Sequence, residues 1–268
     1  MGSGANSKRK GEMMTDKAES AARALLEAAS ANKLMQAFPD ATAPTNIVEA
    51  YAIQDAQLVL IGEPIAAWKV GPSASDFPET CAPIIASRLL ASPATLSGDL
   101  PLKAVECEVA FRLAKDLPAA HAPYNADKAR DSIGTAMVAI EAVETRYIDW
   151  PVEKKIWALA DNQSNQALVV GPEIPLPDPT SLGELTATLD LGGKVKVADK
   201  GFPGGDPFTL IAWLANHLAN RSPILAKRGL KAGDVVTTGS WNGVDFAETG
   251  MNVTANFEGL GSASLAYR

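Results

Sequence analysis

The chain has 268 residues, 47% hydrophobic, 21% charged and 6% aromatic, a profile that excludes a chain disordered throughout, a collagen and a disulfide scaffold. Its 24 basic and 31 acidic residues leave a net charge of −7, which argues against nucleic acid as a main partner. No run approaches the roughly 18 consecutive apolar residues of a membrane span, and two cysteines, Cys81 and Cys107, suit a thiol-reducing compartment.

In chain order, residues 1–15 read as a disordered leader. A basic patch, Lys8-Arg9-Lys10, has no apolar stretch behind it, so no secretory signal is expected and the expected compartment is the cytoplasm. Asp16 can cap a helix whose apolar positions Ala22, Leu25, Leu26 and Ala29 recur at helical spacing. After a break at Pro39 and Pro44, Thr45 or Asn46 caps a second helix that Gly62-Glu63-Pro64 ends. A short apolar run around Trp68 and Lys69 leads into a Pro/Ser loop over 72–80. From about Leu100 the chain turns mainly to β. Val105, Cys107, Val109, Phe111 and Leu113 alternate with Glu106, Glu108, Ala110 and Arg112, a period of two. A short helix is expected over 127–133, and strands over 137–148, 167–171, 184–198, 234–238 and 252–267, with turn signals such as Gly192-Gly193 and Gly204-Gly205. One helix interrupts them, with Asp206 as its cap and Pro207 at its first position. The expected fold class is α+β: a leader over 1–15, an N-terminal α/β portion over 16–98 and a mixed-β catalytic domain over 99–268.

Four strings carry chemistry. In Glu106-Cys107-Glu108 the two carboxylates project from one face of a strand, and two anions in an apolar strand repel and resist desolvation. Either a divalent metal sits between them, and an all-carboxylate site favours Mg²⁺ or Mn²⁺ over Zn²⁺, or the face is simply solvated. Glu141, between Ile140 and Ala142, is a spare carboxylate, whereas Glu144 and Arg146 can pair with each other. Asp161-Asn162 with Ser164 and Asn165 either builds a turn or reaches a ligand. Lys69 either snorkels from a strand edge or sits in a cleft with a lowered pKa. His121 and His217 lack metal-ligand spacing, and Cys107 alternates away from the glutamates into the core.

The order of these strings (WKVG near 70, VECEVAF near 106, IEAVETR near 141, ADNQS near 161, AWLAN at 212, LKAGDVVTTGS at 230) resembles the fumarylacetoacetate hydrolase superfamily. Within it, the likeness is to the 2-keto-4-pentenoate hydratase and 4-oxalocrotonate decarboxylase branch, over about residues 18–268. The resemblance implies a mixed β-sheet roll and one Mg²⁺ or Mn²⁺ held by Glu106, Glu108 and Glu141. It further implies Lys69 as an acid/base or orienting group, Asp161, Asn162 and Ser164 beside a bound 2-oxo acid, and Ser240 on a substrate-side loop. The implied function is a metal-dependent lyase acting on a small 2-oxo or 2-hydroxydienoic acid through a metal-stabilised enolate, in a homo-oligomer. Lys69 would need a pKa brought toward neutrality. One stretch departs from the branch. Where its hydratases carry an acidic residue soon after the lysine, this chain has Cys81-Ala82-Pro83-Ile84-Ile85-Ala86. Decarboxylation of a 2-oxo-enedioate, C–C hydrolysis of an acylpyruvate, and a non-catalytic partner role therefore stay open beside hydration.

Overall fold

The computed structural model describes residues 3–152, 154–198, 201–202 and 204–268. Its helices are α1 (Ser3–Ser30), α2 (Ile47–Ile61), α3 (Ala126–Arg130), α4 (Lys155–Ala160), α5 (Pro179–Gly183), α6 (Pro207–Arg221) and α7 (Pro223–Arg228). The expected leader coincides with the start of α1; residues 1 and 2 and the side chains up to Met14 lie outside the described residues. No helix among the described residues is long and apolar enough to cross a membrane.

The chain divides into two compact units, residues 1–63 with 145–164, and 64–144 with 165–268. That division differs from the one expected at residue 98, because the strands between Ile65 and Leu96 pair with strands much later in the chain. In the first unit α2 is bounded as its sequence dictates: Asn46 accepts from the Glu49 N–H at 3.0 Å, and Gly62 ends the helix at φ 73°, a conformation that glycine adopts without a Cβ penalty. Ala21, Ala22, Leu25, Ala50 and Ile53 are buried, and Phe38 meets Tyr147 and Trp157 edge-on at 5.8 and 5.6 Å.

The second unit is built on two sheets. The larger has the order β2 (Thr80–Ile85), β1 (Ile65–Gly71), β11 (Val235–Thr237), β5 (Ala104–Leu113), β6 (Ile133–Val143), β7 (Asn165–Val170) and β3 (Leu89–Ala91). Short β8 (Ile174–Pro175) and β12 (Asp245–Phe246) add to β6 and β5. The sheet curls until β2 and β7 touch. Its inner face is a buried cluster of Ala67, Ile84, Ala110, Met137, Ala139, Leu168 and Val235. The smaller sheet has the order β10 (Lys194–Val197), β9 (Ala187–Leu191), β13 (Asn252–Phe257), β14 (Gly261–Tyr267) and β4 (Ala94–Leu96).

Most expected elements are present with moved ends. The strand expected over 137–148 starts at Ile133 and stops at Val143, because Glu144 leaves the ladder to accept from the Leu102 and Lys103 N–H groups at 3.1 and 3.3 Å. The stretch 184–198 splits into the β9–β10 hairpin at Gly192 and Gly193, with φ of 63° and 98°, the positive values a tight hairpin turn demands. Strand β2 is fully buried, so it reads as a continuous apolar run without the alternation that betrays a half-exposed strand.

Candidate metal centre

Glu106 and Glu108 share a face of β5, and the ladder places Glu141 of β6 directly opposite Glu106. Lys69 reaches the same interior from β1, where it is paired with Thr237 of β11. One oxygen from each of Glu106, Glu108 and Glu141 lies within 4.8 Å of the others. Glu108 and Glu141 are buried and Glu106 is half-buried. The Lys69 Nζ donates to Glu141 Oε1 at 2.5 Å, and Asn165 Nδ2 donates to the same oxygen at 2.9 Å. Thr237 Oγ1 and the Gly239 N–H, the latter at 3.2 Å, both donate to Glu108 Oε2. Glu141 Oε2 is buried with no hydrogen-bond partner.

This arrangement is electrostatically incomplete. Burial, then the Glu141 charge, pushes the Glu106 carboxyl above its ordinary range while Lys69 pulls it back. Glu108 is raised by burial and by both neighbouring carboxylates. For Lys69, burial favours the neutral amine, yet Glu141, Glu106 and Glu108 together outweigh it and hold the pKa above the ordinary lysine value. The lowered pKa expected of this lysine is therefore not what its surroundings produce. With all three carboxylates ionised, as cation binding requires, they face one ammonium, a formal surplus of two negative charges around an unpartnered carboxylate oxygen. Such a donor set fits a hard divalent cation, which takes oxygen ligands and whose affinity grows with carboxylate charge. Cys107 is on the opposite face and fully buried, its thiol pushed up to about 12 first by that burial, so it behaves as the expected small core residue.

The other singled-out residues are placed as follows. Asp161 is buried and ion-paired with Arg146 Nε, and Arg146 Nη2 also donates to the Asp161 carbonyl at 2.7 Å. Asn162 Nδ2 donates to Gln57 Oε1 at 3.2 Å. Asn162, Gln163 and Ser164 have φ of 50°, 52° and 58°, a left-handed turn without a glycine. Side chains pay about 1–2 kcal/mol per residue for that conformation, and such strain clusters at functional sites. The turn delivers Asn165 at the first position of β7. Of the side chains that orient the glutamates, Asn165 was legible in the sequence only as part of the polar cluster with Asp161, with nothing to link it to Glu141, and Thr237 was not picked out, its one hint being its place in the TTGS string. Ser240 donates to Gly243 O at 2.7 Å, closing its own turn. His217 stacks on Trp213 at 4.8 Å, and neither it nor His121 joins the carboxylate trio.

The profile of the fumarylacetoacetate (FAA) hydrolase C-terminal family matches residues 90–265. The chain belongs to the fumarylacetoacetate hydrolase family. Among similar family members, a 2-keto-4-pentenoate hydratase of Paraburkholderia phymatum is 30% identical over 167 residues, 61% of this chain and 60% of the relative. A 4-oxalocrotonate decarboxylase of Pseudomonas putida is 27% identical over 129 residues, 48% of this chain and 47% of that one. The matched stretches thus span about 60% or less of these relatives' lengths. The fold agrees over a longer range. The solved structure of 4-oxalocrotonate decarboxylase from Pseudomonas putida G7, complexed with magnesium and adipate, superposes with a TM-score of 0.81 at 18% identity, covering 94% of this chain and 98% of that one. The α+β architecture expected from the family resemblance is the one observed.

Proposed function

We propose that this chain is a divalent-metal-dependent lyase, hydratase-like, acting on a small 2-oxo or 2-hydroxydienoic acid. The observation that carries this reading is the trio of Glu106, Glu108 and Glu141, the last two buried, with Lys69 bonded to Glu141. These three glutamates are assigned as ligands of Mg²⁺ or Mn²⁺, and Lys69 as the catalytic group. A bound divalent ion supplies Lewis-acid stabilisation of an enolate. The chain's own groups do the rest. Asn165 and Lys69 orient Glu141; Thr237 and the Gly239 N–H orient Glu108. The Lys69 ammonium, 2.5 Å from Glu141, is assigned the role of giving a proton to a substrate carbon and, once neutral, taking one back. Asp161, Asn162, Ser164 and Ser240 are assigned as substrate-side groups on the family resemblance; Asp161 also pairs with Arg146. The names of the relatives, one a hydratase and one bound to magnesium and a dicarboxylate in its solved structure, support the ion and the substrate class.

One observation favours decarboxylation of a 2-oxo-enedioate as a second reading. The stretch Cys81–Ile85 is buried β2 and holds no acid. Hydration needs a group that activates the added water, whereas decarboxylation releases CO₂ and needs only a proton returned to the carbon it left. The assembly inferred is a homo-oligomer, supported by Val195, Val197 and Phe246, exposed on the β10 edge and on β12. The test is a turnover screen with Mg²⁺ or Mn²⁺ over 2-hydroxydienoates, 2-oxo-enedioates and acylpyruvates. Metal-dependent loss of a dienoate, abolished by EDTA, is the expected result. CO₂ release from an enedioate alone selects the second reading, and no turnover of any member overturns both.

A further inference from the structure

Two of the three glutamates are each closed on one side. Glu108 Oε2 accepts twice, from Thr237 Oγ1 and from the Gly239 N–H at 3.2 Å. Glu141 Oε1 also accepts twice, from Lys69 Nζ at 2.5 Å and Asn165 Nδ2 at 2.9 Å, while Glu141 Oε2 is buried with no hydrogen-bond partner. A carboxylate oxygen has a pair of acceptor sites, so two donors fill it. Each of these carboxylates is thus left with one oxygen for a cation. At Glu108 the closing groups come from β11 and the turn after it. Thr237 stands beside Lys69 of β1 and Ala110 of β5. It is 0% exposed, so no solvent competes for its hydroxyl. Gly239 adds its N–H from φ 113°, a backbone conformation open to glycine.

We propose, on the reading that the trio holds the ion, that Thr237 is a selectivity-determining residue of the cation site. It restricts Glu108 to ligation through one oxygen and so favours Mg²⁺ over Ca²⁺. Both ions carry the same charge, so the carboxylates' charge draws them nearly alike, and ligand number and geometry discriminate. Ca²⁺ takes about six to eight oxygens in a flexible set and accepts carboxylates through both oxygens. Mg²⁺ takes about six in a near-octahedral set and keeps several waters. Buried glutamates that give one oxygen each leave Ca²⁺ short of ligands, whereas water fills the remaining positions around Mg²⁺. Thr237 acts through Glu108, as a positioning residue.

The experiment is calorimetric titration of the full chain with Mg²⁺ and with Ca²⁺, without substrate, for the parent, Thr237→Val and Thr237→Ser. Valine keeps threonine's shape without its hydroxyl, and serine keeps the hydroxyl. The parent should bind Mg²⁺ more tightly than Ca²⁺. In Thr237→Val, with one donor to Glu108 Oε2 removed, the ratio of the two dissociation constants should shift toward Ca²⁺ by about five- to tenfold, on the scale of one net hydrogen bond. Thr237→Ser should keep the parental ratio. If Thr237→Val does not fold, Thr237→Ala carries the same expectation. A merely structural role for Thr237 would weaken both ions together and leave the ratio unchanged, which overturns the proposal. A parent that binds Ca²⁺ as tightly as Mg²⁺ overturns it as well. Both of those outcomes leave the trio in place as the site, whereas a parent that binds neither ion removes the trio and the selectivity with it.

Discussion

Glu108 is the carboxylate with the most neighbours to answer to: it is buried, repelled by Glu106 and Glu141, and steadied by Thr237 and the Gly239 N–H. Glu108→Gln keeps its size and removes one of three charges. Mg²⁺ affinity should then fall by about tenfold or more, while thermal stability without metal is kept or rises because a buried repulsion is relieved. Calorimetric titration checks this, and parental Mg²⁺ binding by both Glu106→Gln and Glu108→Gln would discard the trio as the site. Lys69→Met separates binding from chemistry. It retains the aliphatic stem but removes the ammonium, so turnover should drop on the order of 10²–10⁴-fold. Mg²⁺ affinity should hold or rise, since the charge surplus grows from two to three. Turnover within a few-fold of the parent would take Lys69 out of the mechanism.

Among the elements, the turn between α4 and β7 depends on a buried ion pair. Arg146 and Asp161 have side chains only 6% and 1% exposed. Arg146→Met strands a buried carboxylate, and breaking such a pair costs about 3–5 kcal/mol. A drop in Tm of several degrees is expected, larger than for Arg146→Met combined with Asp161→Leu, which removes both charges. Equal losses would show that the pair does not hold the turn. Helix α6 carries a pH signature. Burial, then the Arg221 charge, lowers His217 to about 4 from an ordinary 6.5. The unfolded chain therefore binds this proton more readily than the folded one between those values. This contribution is full above pH 6.5 and is lost as pH falls toward 4. His217→Gln should lose less Tm than the parent between pH 7 and 4.5, and parallel melting curves would refute the assignment.

For the molecule as a whole, the exposed Val195, Val197 and Phe246 lead to the expectation of a homo-oligomer, and a clean 28 kDa species in sedimentation at micromolar concentration would refute it. Much of the architecture was already legible in local patterns: the Asn46 cap, the Asp206-Pro207 start of α6, the Gly192-Gly193 hairpin, and the alternation that sets Glu106 and Glu108 on one face. Each depends on residues a few positions apart, where propensity and period act directly. Family motifs supplied the list of further glutamate and lysine partners. What sets Glu141 opposite Glu106, and Lys69 against Glu141 from across the sheet, is strand register and the curl of β2 toward β7. The same long-range pairing picks Asn165 rather than Asp161 as the residue that touches Glu141, and releases Glu144 from the strand that its apolar neighbours extend. Alternation along a strand says which face a side chain takes, but it carries no information about the strand that will lie beside it. That neighbour, and with it the grouping that makes three glutamates a candidate cation site, was decided only when the sheet closed and brought them together.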